Sequence, residues 1–154
     1  MAIRKLIVDS DAMIRKISKP VTVFDENLWQ LLDDMKETLK KENGAGLAAV
    51  QVGVLKRLFI VDVNNLYLEC VNPEIVSFSG SQEQEEGCLS VSSCTGIVKR
   101  PNLITVKAYD RFCNEFTISG TDYLAIALSH ENDHLDGILF TDKTIKVIQK
   151  GKKE

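Results

Sequence analysis

Apolar residues recur along the chain with two periods, and the change from one to the other lays out the elements. Leu28, Leu32, Met35 and Leu39 follow one another at intervals of four, three and four, the stripe of an amphipathic helix. Asp25 stands before it as an N-cap, and Glu26 in the first turn complements the helix dipole. Lys40 and Lys41 occupy the last turn, and Asn43-Gly44 ends it. The Leu and Met stripe reads as core and the charged remainder as a solvated face. Residues 57–63 form a buried strand, Asn64-Asn65 a turn, and residues 66–71 the returning strand. Asn72-Pro73 is expected to break that strand, residues 74–79 to form another short one, and residues 80–85 a polar loop. Residues 96–101 are extended and residues 103–109 alternate as a half-buried strand. A hairpin turn at 111–114 and a return strand at 115–119 follow. A second helix starts at Gly120-Thr121 and stops at Gly137; a short helical tail is expected from about Lys143. Residues 3–17 read as an irregular arm. A helix, a run of strands, then a helix is an α+β order, not alternating βαβ.

Composition narrows the class without naming a function. A chain of 154 residues, 44% hydrophobic and 27% charged, is expected to be a single globular domain. A net charge of −3 argues against a dedicated nucleic-acid binder. There is no apolar run of about 18 residues, so no membrane span is expected. Residues 1–9 show neither a signal-peptide core nor a cleavage site, so a cytoplasmic location is the expectation. Without a secretion signal, Cys70, Cys88, Cys94 and Cys113 read as free thiols, and no Cys-x-x-Cys pair suggests a zinc ribbon. Gly44, Gly46 and Gly53 among small residues indicate tight backbone or close approach of another group. They do not read as a nucleotide loop, because they follow a helix and no Gly-Lys-Ser/Thr follows them.

The candidate chemistry lies in the second helix. His130 and His134 are the two histidines of the chain, four residues apart, with Glu131 directly after the first. Residues i and i+4 share a helix face, so two imidazoles can bind one metal ion while the adjacent carboxyl group shuttles a proton. Tyr123, Ala127, His130 and His134 lie on one stripe; Leu124, Leu128, Glu131 and Leu135 form the next. The histidines and Glu131 are thus inward-facing, and a carboxyl group there needs a compensating cation. A third ligand is required if one position stays open for water. Asp136 and Asp142 meet the zinc-protease pattern poorly, and Cys88 is the better candidate, giving a soft, compact site.

Three stretches together resemble the signature motifs of the peptide deformylase family, in order and spacing. They are Gly44-Ala45-Gly46-Leu47-Ala48-Ala49-Val50-Gln51, Glu86-Gly87-Cys88-Leu89-Ser90 and His130-Glu131-Asn132-Asp133-His134. Pro20-Val21, Val98-Lys99-Arg100-Pro101 and Leu139-Phe140-x-Asp142 extend the resemblance over nearly the whole chain. It implies antiparallel sheets packed around a central helix that carries His-Glu-x-x-His. It implies removal of the N-formyl group from the starting methionine of nascent bacterial polypeptides, with release of formate. Cys88, His130 and His134 would be ligands of one divalent metal ion, Fe(II) natively, replaceable by zinc, nickel or cobalt. Glu131 would be the general base. Gln51 and the backbone N–H of Leu89 would stabilise the oxyanion. The backbones of Gly46, Glu86 and Gly87 would pair with an extended peptide, and Tyr123, Ile126 and Ala127 would line the methionine pocket. Arg100 is expected to pair with Asp133.

The chain departs from the family's habits where Val50 and Ser92 replace frequent prolines, Ser129 a frequent glutamine, and Cys113 a common turn glycine. None of these is an expected ligand or catalytic group, and Cys94 has no assigned role. The basic C-terminal tail suits either a transient ribosome contact or simple solubility. Three other readings of the residues stand beside the resemblance: a small metallopeptidase, a structural metal site, and a thiol enzyme with Cys88 as nucleophile.

Overall fold

The computed structural model describes residues 2–149. Helix α1 (Glu26–Lys41) begins as its sequence requires, with the Asp25 carboxylate accepting from the N–H groups of Asn27 and Leu28. At its end Asn43, not Gly44, takes the left-handed conformation (φ 52°), while Gly44 N–H donates back to Leu39. Leu28, Leu32 and Met35 are fully buried, worth about 1.5–3 kcal/mol each relative to exposure. That packing holds the helix, since an isolated segment of this length is marginal in water.

A five-stranded antiparallel sheet has the order β1-β2-β3-β6-β7: β1 (Gly46–Ala48), β2 (Leu58–Val63), β3 (Leu66–Ser79), β6 (Leu103–Tyr109) and β7 (Glu115–Thr121). A three-stranded sheet has the order β4-β5-β8: β4 (Gln82–Cys88), β5 (Val91–Arg100) and β8 (Thr144–Gln149). Strand β2 shows why two cores form. Leu58 and Ile60 face α1, while Phe59, Val61 and Val63 face the opposite cluster. That second cluster holds Ala125, Leu128 and Leu135 of helix α2 (Asp122–Leu135) together with Val91, Cys94 and Val98 of the smaller sheet. Helix α2 therefore lies between the two sheets, as expected of the histidine helix.

Three local expectations are corrected. Asn72-Pro73 does not end β3; it makes a bulge, with Asn72 at φ 49° and the pairing with β6 shifted between Val71 and Glu74. Asn72 N–H still donates to the Arg57 carbonyl on the β2 side, and the bulge leaves Pro73 out of the register with β6, so proline removes no ladder bond there. Residues 82–85 are strand, not loop, because β5 pairs with β4 throughout. Residues 144–149 are strand β8, not helix, and pair with β5. Residues 150–154 of the expected tail lie outside the described residues. By contrast, Asn64 and Asn65 form the two-residue hairpin turn with φ 51° and 66°, as a type I′ turn needs. Gly137 ends α2 at φ 72°, with its own N–H donating to His134 and that of Ile138 to Asp133.

Candidate metal centre

Three separate elements deliver the sequence-predicted residues to one place. Cys88 is the last residue of β4, held just before the tight Leu89-Ser90 turn into β5. His130 and His134 project from α2 toward it. The candidate ligand atoms of Cys88, His130 and His134 all lie within 4.8 Å of one another. Cys88 Sγ is 3.4 Å from His134 Nε2. His134 is 1% exposed, His130 7% and Glu131 4%, so all three face inward. Phe140 stacks on the His130 ring from behind.

The side chain of Glu86 is the partner that sequence reasoning missed. Only its backbone was expected at the site. Its carboxylate is buried and accepts from His130 Nδ1 at 2.9 Å, leaving Nε2 as the ring nitrogen free to face Cys88. Arg100 grips the same carboxylate through Nε and Nη2, both at 2.9 Å. Arg100 also donates through Nη1 to Asp133 at 2.6 Å, the expected pair, and to Ser129 Oγ at 3.3 Å. Lys143 adds a second cation to Asp133 at 3.1 Å. Its place carried a signal: Glu86 stands two residues before the candidate ligand Cys88, and an acid buried beside such a group needs a partner.

The electrostatics call for a cation at this point. Burial disfavours charge on His130. The hydrogen bonds to Cys88 and Glu86 and the field of Glu131 outweigh that penalty, and its pKa is pushed up to about 10. His134 is shifted the other way, well below the usual range, by burial and by His130, and stays neutral. Burial holds Glu131 up at about 7, despite the opposing influence of His130 and Arg100. Its Oε1, like Nδ1 of His134, has no hydrogen-bond partner among the described residues. Glu86 is lowered although burial opposes it, because His130 and Arg100 bind its charged form. A thiol and two imidazoles in a compact, electron-rich pocket fit a soft divalent ion.

Gln51 reaches the same pocket from the one-turn 3₁₀ helix Ala49–Val52. Its Oε1 accepts from Ala48 N–H at 2.9 Å, which fixes the amide orientation. Nε2 then points at Ser90 Oγ (3.1 Å) and Cys88 Sγ (3.5 Å). A cavity of about 350 Å³ is lined by Gly46, Gln51, Glu86, Gly87, Cys88, Leu89, Tyr123, Ile126, Ala127, His130 and Glu131. Every expected site residue except the more deeply set His134 thus borders it. Tyr123 is at the rim, 53% exposed, and so is not on the buried part of its stripe. Asn43, Gly44, Ala45 and Glu85 also line the cavity and were not anticipated. The glycine-rich stretch hinted at the first three. A Cβ on Gly46 would fall 2.7 Å from Glu131 Oε2 and one on Gly44 2.8 Å from Leu39 Cδ1, so the expected close approach is to Glu131 at Gly46 and to Leu39 at Gly44. All four cysteines are free thiols; Cys94 is buried in β5 and takes no part in the site.

Residues 3–150 match the family model described as polypeptide deformylase. A peptide deformylase of Acetivibrio thermocellus is 51% identical over 154 residues, covering 100% of this chain and 91% of the relative. The crystal structure of a peptide deformylase from Legionella pneumophila superposes with a TM-score of 0.90 at 48% identity, covering 92% of this chain and 86% of that one. The Thermotoga maritima peptide deformylase gives 0.91 at 36% identity, with 94% and 99% covered. With the fold, the candidate ligand cluster and these similarities in agreement, the chain belongs to the polypeptide deformylase family.

Proposed function

We propose that residues 1–154 form one catalytic domain that removes the N-formyl group from the N-terminal methionine of newly made polypeptides and releases formate. The observation that carries this reading is the convergence of Cys88, His130 and His134 within 4.8 Å, beside the buried Glu131 carboxyl and the oriented Gln51 amide. A structural metal site would use four protein ligands and would leave Glu131 and Gln51 without a task. A divalent ion held by the triad, Fe(II) natively with zinc, nickel or cobalt as substitutes, would polarise the formyl carbonyl and make hydroxide available near neutral pH.

The chain's own groups do the rest. Glu131 takes the proton of the attacking water and returns it to the leaving amine. Gln51 Nε2 and the Leu89 N–H donate to the formyl oxygen as it gains negative charge. Glu86, held by Arg100, keeps the His130 ring oriented. β1 and β4 are both edge strands, so the backbones of Gly46 and of Glu86-Gly87 can pair with an extended peptide. Tyr123, Ile126 and Ala127 enclose the methionine side chain. No helix among the described residues is long and apolar enough to cross a membrane. The enzyme is proposed to work in the bacterial cytoplasm, where it meets nascent chains, with any ribosome contact transient.

The test is formate release from formyl-Met peptides by metal-defined protein prepared without oxygen, with and without chelator. Activity should vanish with chelator and return with Fe(II). Gln51→Ala and Glu131→Ala should keep the metal; Gln51→Ala should lose ~10²–10³ in rate, and Glu131→Ala should be nearly inactive. Cleavage of unformylated peptides, or activity independent of metal, would overturn the proposal.

A further inference from the structure

The arm over residues 2–9 has no regular secondary structure up to residue 8, yet it is tied down along its length. Ala2 N–H and the Arg4 side chain donate to Asp34, and Arg4 N–H donates to Thr38 Oγ1, all on α1. Leu6 packs against the core facing α1 and Ile7 against the core facing α2. Farther on, Ile14 is fully buried, Arg15 donates to the Gly137 carbonyl, and Ser18 N–H to that of Leu135. Between these anchors two N–H groups, two residues apart, turn to the site. Ile7 N–H donates to the Gln51 carbonyl at 2.7 Å, and Asp9 N–H to the Ser90 carbonyl at 2.9 Å.

Gln51 follows β1 of the five-stranded sheet, whereas Leu89-Ser90 joins β4 to β5 of the other. Among the described residues no ladder pairs the two sheets, so strand register does not set the distance between Gln51 and Leu89. Among the described residues, the side-chain hydrogen bonds that span that gap are Gln51 Nε2–Ser90 Oγ and Nε2–Cys88 Sγ; the packing of Val50 with Val91 in one core, and of Leu89 against the other, is apolar and non-directional. We propose that the arm is a positioning element for the reaction: the N–H groups of Ile7 and Asp9 hold the Gln51 and Ser90 backbones at one separation. This sets the two oxyanion donors, Gln51 Nε2 and Leu89 N–H, on one oxygen; it rests on the assignment of those donors above. A displacement of about 1 Å in such a pair can cost up to ~10² in rate.

Asp9 offers a clean way to remove one link. It is the first central residue of the turn closed by Asp11 N–H to Val8 O at 3.0 Å, and neither it nor Ser10 has positive φ. Proline is favoured at that turn position and lacks only the N–H. Asp9→Pro should lower kcat about tenfold per metal-loaded site, with KM within about twofold and metal content unchanged. Asp9→Ala, which keeps the N–H, should restore the rate. The second link is tested by replacing Ile7 with its α-hydroxy acid, which exchanges the N–H for an ester oxygen and preserves the side chain. The ester should cost about tenfold in the parent but less than about twofold in Gln51→Ala, because the group it positions is then gone. Parental kcat in Asp9→Pro, or an equal loss from the ester in both backgrounds, would overturn the proposal. Full activity of Gln51→Ala by itself would instead remove the donor assignment.

Discussion

Gly46→Ala isolates the placement of Glu131 from everything else at the site. Gly46 does not have positive φ, so alanine meets no backbone penalty there. The new methyl would fall 2.7 Å from Glu131 Cγ and Oε2 and 2.9 Å from Cδ. Carbon atoms in contact prefer about 3.5–4.0 Å, so one partner must give by about 1 Å. Gly46 is held in β1 by its pairing with Val61, whereas Glu131, though only 4% exposed, borders the cavity and has room to turn. If the strand yields, the overpacking costs about 1–3 kcal/mol of stability. If the carboxyl group yields, stability is kept and the proposed general base is displaced, which can cost ~10² in rate. The side chain is the softer partner, so the expected result is kcat reduced about a hundredfold, with melting temperature and metal content close to the parent. Formate release at saturating substrate, metal analysis and thermal unfolding measure the three quantities. The double variant Gly46→Ala/Glu131→Ala should be no slower than Glu131→Ala alone, since the methyl then has nothing to displace. Parental kcat in a folded, metal-loaded Gly46→Ala protein would refute the reasoning, as would a further loss in the double variant.

Two further predictions concern the charges around the site and beneath the arm. Arg100 is 2% exposed, and Arg100→Ala strands the buried carboxylates of Glu86 and Asp133. Lys143 and His130 remain as their partners, so the substitution should destabilise by about 2–4 kcal/mol and weaken metal retention about 10–100-fold through the loosened His130. Chemical denaturation and metal competition would show this, and a stability loss below about 1 kcal/mol would contradict it. Asp34 sits below the usual carboxylate range: burial opposes its charge, but Ala2 N–H, Gln30 and Arg4 outweigh burial. A depressed folded pKa stabilises fully above the unfolded value of ~3.9 and ceases to do so as pH falls through the folded value. The melting temperature of Asp34→Asn should therefore trail the parent by a constant gap at neutral pH, and the gap should close as pH drops below ~3.9. A gap that widens in acid would be incompatible with this account.

What was legible in the chain alone is what depends on neighbours a few residues away. The Leu28–Leu39 spacing, the Asp25 cap and the Asn64-Asn65 turn act through local backbone geometry, and all three appear as read. The i, i+4 spacing of His130 and His134 likewise puts both rings on one helix face whatever packs around them. The poor fit of the downstream acids pointed to Cys88, and motif resemblance added Gln51; spacing alone could bring neither beside that helix. Tertiary structure decided the remainder. Polar residues 82–85 become strand because β5 supplies partners, and Thr144–Gln149 becomes an edge strand for the same reason. Their local sequence is nearly neutral between states, so long-range hydrogen bonds choose. Glu86 turns inward because Arg100, fourteen positions later, and His130, forty-four positions later, converge on it. The histidine spacing by itself determined that this chain could hold a metal ion. Which thiol stands beside it, which carboxylate steadies His130, and how closely Gly46 approaches Glu131 were decided by packing two sheets around α2, because only that packing brings residues so distant in sequence within a few ångströms.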